Sequence, residues 1–130
     1  MSESIEYSAT LAVIDDEDVI RENIQKKLLR LGYEVLPFDN AEDVLEIMTN
    51  DLNRIDMVIT DIKLSNMDGI ELLRRIKLLD KPVPVLIITG HDNIGEAILA
   101  LRLGASDFIR KPFDINDLAS SVKTTLKIIQ

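Results

Sequence analysis

Three carboxylates, a hydroxyl and an ammonium in this chain each stand directly after an apolar run. Met57-Val58-Ile59-Thr60 leads into Asp61, and Thr10-Leu11-Ala12-Val13-Ile14 leads into Asp15 and Asp16. Val85 to Ile88 leads into Thr89, and Asp107-Phe108-Ile109-Arg110 leads into Lys111. If these runs are strands of one parallel sheet, their ends deliver all five groups to the same side of the molecule. Active groups in such sheets gather at the carboxyl ends of the strands, near the point where strand order reverses. The set suits one chemistry well: binding a divalent cation and moving a phosphoryl group.

The acids cannot sit together as free anions. Two carboxylates about 5 Å apart repel by roughly 3 kcal/mol at an effective dielectric near 20. Either one group holds a proton or a cation lies among them. Oxygen-only ligands with no cysteine in the chain favour a hard ion such as Mg2+, which takes one or two protein carboxylates and keeps room for waters and phosphate oxygens. A dication together with Lys111 balances Asp15, Asp16 and Asp61, and leaves the site able to accept an anionic group. A carboxylate can itself be the nucleophile, forming an acyl phosphate whose equatorial oxygens need donors and positive charge. Asp61 is the expected nucleophile because it ends a central strand and is followed by a loop rather than another acid. Lys111 supplies an ammonium and Thr89 a hydroxyl.

The elements that must position these groups alternate strand and helix five times. Strands are expected at Thr10–Ile14, 33–37, 57–60, 83–89 and Asp107–Arg110. Between them, Ile20, Ile24, Leu28 and Leu31 share a helical face, as do Leu72, Leu73, Ile76 and Leu79. Ile94, Ala97, Ile98 and Leu101 give the cleanest stripe, and Ile115, Leu118, Val122, Leu126 and Ile129 line the last helix. The second helix, about 41–48, is the shortest. Gly32 and Gly104 follow apolar stripes, where a helix end favours a residue tolerant of positive φ. Asn40, Asp68 and Asp114 stand as N-caps. Strands alternating with helices imply a parallel sheet covered on both faces by right-handed crossovers.

At 130 residues the chain makes one domain of ordinary size, with 46% hydrophobic residues for a core and 29% charged residues for a solvated surface. A net charge of −8 argues against gripping nucleic acid by its phosphates. No apolar stretch approaches the roughly 20 residues of a membrane span. The start, Met1-Ser2-Glu3-Ser4-Ile5-Glu6, is the opposite of a signal peptide, so a cytoplasmic domain is expected. Residues 1–8 are read as a tail and 9–130 as the domain.

Over nearly its whole length the chain resembles a response-regulator receiver domain. The resemblance rests on Val13-Ile14-Asp15-Asp16-Glu17, on the nine residues from Asp61-Ile62-Lys63 to Asp68-Gly69, on Ile88-Thr89-Gly90-His91, and on the stretch from Gly104-Ala105-Ser106 to Lys111-Pro112-Phe113. It implies a doubly wound, flavodoxin-like α/β fold with five parallel strands in the order 2-1-3-4-5. By the same resemblance, Asp61 is the phosphoacceptor that takes a phosphoryl group from a phosphohistidine on a sensor kinase or phosphotransfer protein. Asp15 and Asp16 hold Mg2+, the second directly and the first largely through water, and the backbone carbonyl of Lys63 completes the protein's share. Thr89 is the switch hydroxyl, Lys111 the family's lysine, and its bond to Pro112 is cis. The implied role is a signalling switch that assists its own phosphorylation and dephosphorylation rather than an enzyme.

Departures from the family pattern bear on the switch. Phe108 occupies a position where receivers commonly carry tyrosine, so the ring lacks a hydroxyl but can still fill a cavity as the face of the fourth helix, last strand and last helix changes. Ser65 replaces a frequent proline. Lys63 and His91 stand where receivers tune phosphoryl lifetime. The last helix carries Lys123 and Lys127 but no arginine, so the charged face of a phosphorylation-dependent homodimer has no clear counterpart. An output domain or separate effector is implied but not chosen by these residues.

Rival readings fail at single positions. A Rossmann-type nucleotide enzyme needs a glycine-rich turn where this chain has Asp15-Asp16-Glu17-Asp18. A haloacid-dehalogenase-type hydrolase needs an acid where Lys63 stands. The remaining alternative is a receiver-like interaction module acting without phosphorylation, but such modules usually lack one of the acids or the lysine.

Overall fold

Runs such as Leu11-Ala12-Val13-Ile14 are stable as strands only where both of their faces are covered, because neighbouring side chains point to opposite sides. The structure, a computed structural model, describes residues 9–90 and 92–129, for Ile128 and Ile129 as backbone alone. The tail 1–8, His91 and the side chain of Ile129 lie outside the described residues. The elements are β1 (Thr10–Ile14), α1 (Asp18–Arg30), β2 (Glu34–Phe38), α2 (Ala41–Asn50), β3 (Met57–Asp61), α3 (Gly69–Lys77), β4 (Val85–Thr89), α4 (Ile94–Arg102), β5 (Asp107–Arg110) and α5 (Ile115–Ile129). The strands form one parallel sheet in the order β2-β1-β3-β4-β5.

Strand alternation divides the core in two. Leu11, Val13, Met57, Ile59, Leu86 and Ile88 pack with Ile24 and Leu28 of α1 and Leu118, Val122 and Leu126 of α5. Ala12, Ile14, Val58, Val85 and Ile87 face the other way, onto α2, α3 and Ala100 of α4. β1, β3 and β4 are buried at every residue. This explains why they read as unbroken apolar runs.

Chain punctuation behaves as the residue types require. Asn40 accepts from Asp43 N–H at 2.9 Å, Asp68 from Glu71 N–H at 2.9 Å and Asp114 from Asn116 N–H at 2.8 Å. Gly32 and Gly104 take φ of 97° and 107°, which a side chain rarely tolerates. Boundaries shift by one or two residues for identifiable reasons. β2 starts at Glu34 because Tyr33 N–H still bonds Leu28 O of the α1 terminus. β4 starts at Val85 because Pro84 lacks a donor. β3 runs on to Asp61, which pairs in register with Ile88.

One helical face departs from expectation. In α4 the buried residues are Ala97 and Ala100, while Ile94, Ile98 and Leu101 are 42%, 47% and 40% exposed. The two alanines seat the helix against the sheet, so the larger apolar side chains beside them are turned outward.

Candidate functional site

β1 lies between β2 and β3, so chain order reverses on either side of it and a crevice opens at the carboxyl ends of β1 and β3. Asp15, Asp16 and Asp61 meet there. One carboxylate oxygen from each lies within 4.8 Å of the other two. Asp15 is fully buried, Asp61 is buried, and Asp16 is exposed.

Asp15 is fixed from several directions. Its Oδ1 accepts from Glu17 N–H at 2.9 Å, and its carbonyl accepts from Arg21 Nη1 at 2.7 Å. Its Oδ2 lies 3.3 Å from Lys111 Nζ as a charge partner, yet outside hydrogen-bond alignment, so this buried oxygen has no hydrogen bond. Burial raises the Asp15 pKa above the usual carboxylate value; the Glu17 amide opposes that, and the charge of Asp61 adds to it.

Asp61 is held at backbone and side chain. Its carbonyl accepts from Thr60 Oγ1 at 2.9 Å, its Oδ1 accepts weakly from Lys63 N–H at 3.3 Å, and its Oδ2 accepts from Lys111 Nζ at 2.8 Å. Gly69, the first residue of α3, packs directly on this strand end and donates its N–H to Ile62 O at 2.8 Å. Lys111 follows β5, with its N–H on Thr89 O at 2.8 Å, and the bond to Pro112 is cis. Burial works to lower the Lys111 pKa, but its bonds to Asp61 and Glu17 and the charges of Asp61 and Asp15 prevail, so it is raised above the ordinary lysine value.

Thr89 is at the same edge, fully buried, but its hydroxyl is engaged with the carbonyls of Gly90 and Asn93, both at 3.3 Å. Phe108 is half-buried and packs on the core side that holds α2 and α3. Lys63 is exposed. Sequence reasoning did not find Glu17 as a functional side chain, although its Oε1 lies 2.9 Å from Lys111 Nζ. The pairing joins residues 94 positions apart, and only its place beside Asp16 could have hinted at it.

The donor set fits a hard dication. The three side chains offer only carboxylate oxygens, two of the carboxylates are buried, and Asp15 Oδ2 is a buried oxygen without a hydrogen bond on a group costly to ionise. A positive ion near that oxygen would relieve the cost.

Residues 11–123 match the family model described as the response regulator receiver domain. The transcriptional regulatory protein FixJ of Bradyrhizobium diazoefficiens is 35% identical over 115 residues, covering 88% of this chain and 55% of that protein. The DNA-binding transcriptional regulator NtrC of Escherichia coli is 33% identical over 118 residues, covering 91% of this chain and 25% of its own length. Among solved structures, a response regulator receiver domain protein from Clostridium thermocellum superposes with a TM-score of 0.85 at 38% identity, covering 94% of this chain and 99% of that one. The receiver domain of NtrX from Brucella abortus gives a TM-score of 0.83 at 34% identity, covering 90% and 98%.

This chain belongs to the response regulator receiver domain family. Its fold is the flavodoxin-like α/β fold of its structural neighbours, and its class is the receiver domain of two-component response regulators. The chain spans about half the length of several curated relatives that it matches, 55% of FixJ and 50% of the response regulator MprA, and 25% of NtrC. No helix among the described residues is long and apolar enough to cross a membrane.

Proposed function

We propose that the chain is a phosphoacceptor switch, cytoplasmic, that takes a phosphoryl group onto Asp61 from the phosphohistidine of a sensor kinase or phosphotransfer protein. The observation that carries this reading is the Lys111 ammonium 2.8 Å from Asp61 Oδ2, beside an acidic triad within 4.8 Å. In the transfer, an oxygen of Asp61 forms a bond to phosphorus as the phosphorus–nitrogen bond breaks, and its electron pair returns to the imidazole. Lys111 stabilises charge on the phosphoryl oxygens, and the Lys63 N–H steadies the Asp61 carboxyl group. Asp15, Asp16, Asp61 and the Lys63 carbonyl would hold Mg2+, which would supply further neutralisation of those oxygens. Dephosphorylation returns the group to water at the same phosphorus, with the Asp61 carboxylate as leaving group.

The switch follows from where the Thr89 hydroxyl now points. In the loaded state it donates to a phosphoryl oxygen instead of the Gly90 and Asn93 carbonyls. Its movement opens space beside Phe108, whose residue pairs with Ile87 of the neighbouring strand. The ring moves inward and the face of α4, β5 and α5 changes, altering contact with an output domain, an effector or a second copy. By their names FixJ and NtrC are transcriptional regulators; a comparable output for this protein is part of the proposal.

Beryllofluoride with Mg2+ tests the reading. Amide resonances of Asp61, Thr89 and Phe108 are expected to shift together and saturably. Unshifted resonances at full beryllofluoride and Mg2+ would instead support an interaction module that works without phosphate.

A further inference from the structure

Glu17 is the N-cap of α1, with extended backbone angles of φ −92° and ψ 112°, yet its side chain makes no cap hydrogen bond. Its carboxylate is turned to Lys111, with Oε1 2.9 Å from Nζ. Lys111 is pinned at its own N–H by Thr89 O, so only the ammonium end of the side chain is free to choose partners. Two aligned bonds hold that end, one to Asp61 and one to Glu17, while the third anion, Asp15, is out of alignment.

Building on the receiver reading above, we propose that Glu17 is a positioning residue that tethers Lys111 in the resting site and thereby slows loading of Asp61. An arriving phosphoryl group needs the ammonium on its own oxygens. Formation of the acyl phosphate turns one Asp61 oxygen into a poorer acceptor and weakens that hold on Lys111. The hold of Glu17 does not weaken, because its carboxylate takes no part in the new bond. It therefore competes with the phosphoryl oxygens for the same N–H donors. The Glu17 side chain is 60% exposed against 18% for Lys111, so the tether is a moderate one that a phosphoryl group can displace. An exposed pair of this kind corresponds to a rate change of roughly two- to five-fold.

The test compares wild type, Glu17→Ala and Glu17→Asp with acetyl phosphate at saturating Mg2+, reading initial labelling rates by intact mass. In each reaction an Asp61 oxygen bonds phosphorus while the bond from phosphorus to the acetate oxygen breaks, and acetate leaves with the electron pair. Glu17→Asp keeps the negative charge but is one methylene too short for the tether. Both variants are expected to label roughly two- to five-fold faster than wild type. A gain in rate is not what loosening of the fold produces. Wild-type or slower rates in Glu17→Ala would overturn the tether, as would acceleration in Glu17→Ala with none in Glu17→Asp. Failure of the wild-type protein itself to label would instead overturn the receiver reading on which the tether rests.

Discussion

Replacing Gly69 with alanine should disturb the site without touching any charged group. A Cβ added at Gly69 would lie 2.3 Å from the Asp61 carbonyl oxygen and 2.9 Å from Ile62 Cα, where ordinary contact begins at 3.4 Å. Both obstacles are backbone, so relief requires a shift of about 1 Å between the start of α3 and the end of β3. Overpacking of this kind costs about 1–3 kcal/mol, and weakening the Gly69 N–H bond to Ile62 O adds about 1 kcal/mol. A total of about 2–4 kcal/mol lowers the melting temperature by roughly 7–15 °C for a domain of this size. The same movement displaces Asp61, and a misplacement near 1 Å can slow a positioned reaction by up to about 100-fold. Thermal unfolding by circular dichroism and acetyl phosphate labelling read the two effects separately. Gly95→Ala is the control, because nothing lies within 4 Å of its added Cβ, and it should gain up to about 1 kcal/mol from helix propensity. If Gly69→Ala melts within about 2 °C of wild type and labels at the wild-type rate, the close approach of α3 to Asp61 is not what fixes the acceptor.

Other variants separate the roles assigned within the site. Lys111→Ala should still label with acetyl phosphate but leave Thr89 and Phe108 amide resonances unshifted on loading; normal shifts would contradict its role in switching. In chelator, the Asp15 contribution to stability should fall as pH rises above 3.8 through its raised pKa, because the folded state holds that proton more tightly than the unfolded chain. Asp15→Asn should flatten that dependence, as seen in melting temperature against pH, and an unchanged slope would remove Asp15 as its cause. Adding Mg2+ should raise the melting temperature of wild type at neutral pH and do so much less for Asp15→Asn; equal gains would assign the ion elsewhere.

The parts of the molecule legible in the sequence are those set by local period and by residue type at element ends. Thr10–Ile14 and Asp107–Arg110 follow from unbroken apolar or β-rich runs, and Asn40 and Asp68 from cap chemistry alone. The meeting of Asp15, Asp16 and Asp61 follows from the rule that groups gather at carboxyl strand ends. What stayed hidden depends on distance between elements. Ile98 and Leu101 carry a helical period, but the sequence does not say that Ala97 and Ala100 bring α4 close enough to the sheet to turn them outward. Nor does it report that Gly69 abuts the Asp61 carbonyl, that Glu17 reaches Lys111, or that the Thr89 hydroxyl faces Gly90 and Asn93. Each of these is a side-chain direction or a close approach, fixed only once the crossovers have packed.

The most direct measurement is to expose the protein and its Asp61→Asn variant to a small phosphodonor with Mg2+ and locate any label by peptide mapping. The account predicts one acid-stable, base-labile phosphoryl group on Asp61 in wild type, not formed when the metal is chelated before the donor is added, and absent from the variant. Undiminished labelling of Asp61→Asn, or a wild-type protein that stays unmodified with Mg2+ present, would contradict it.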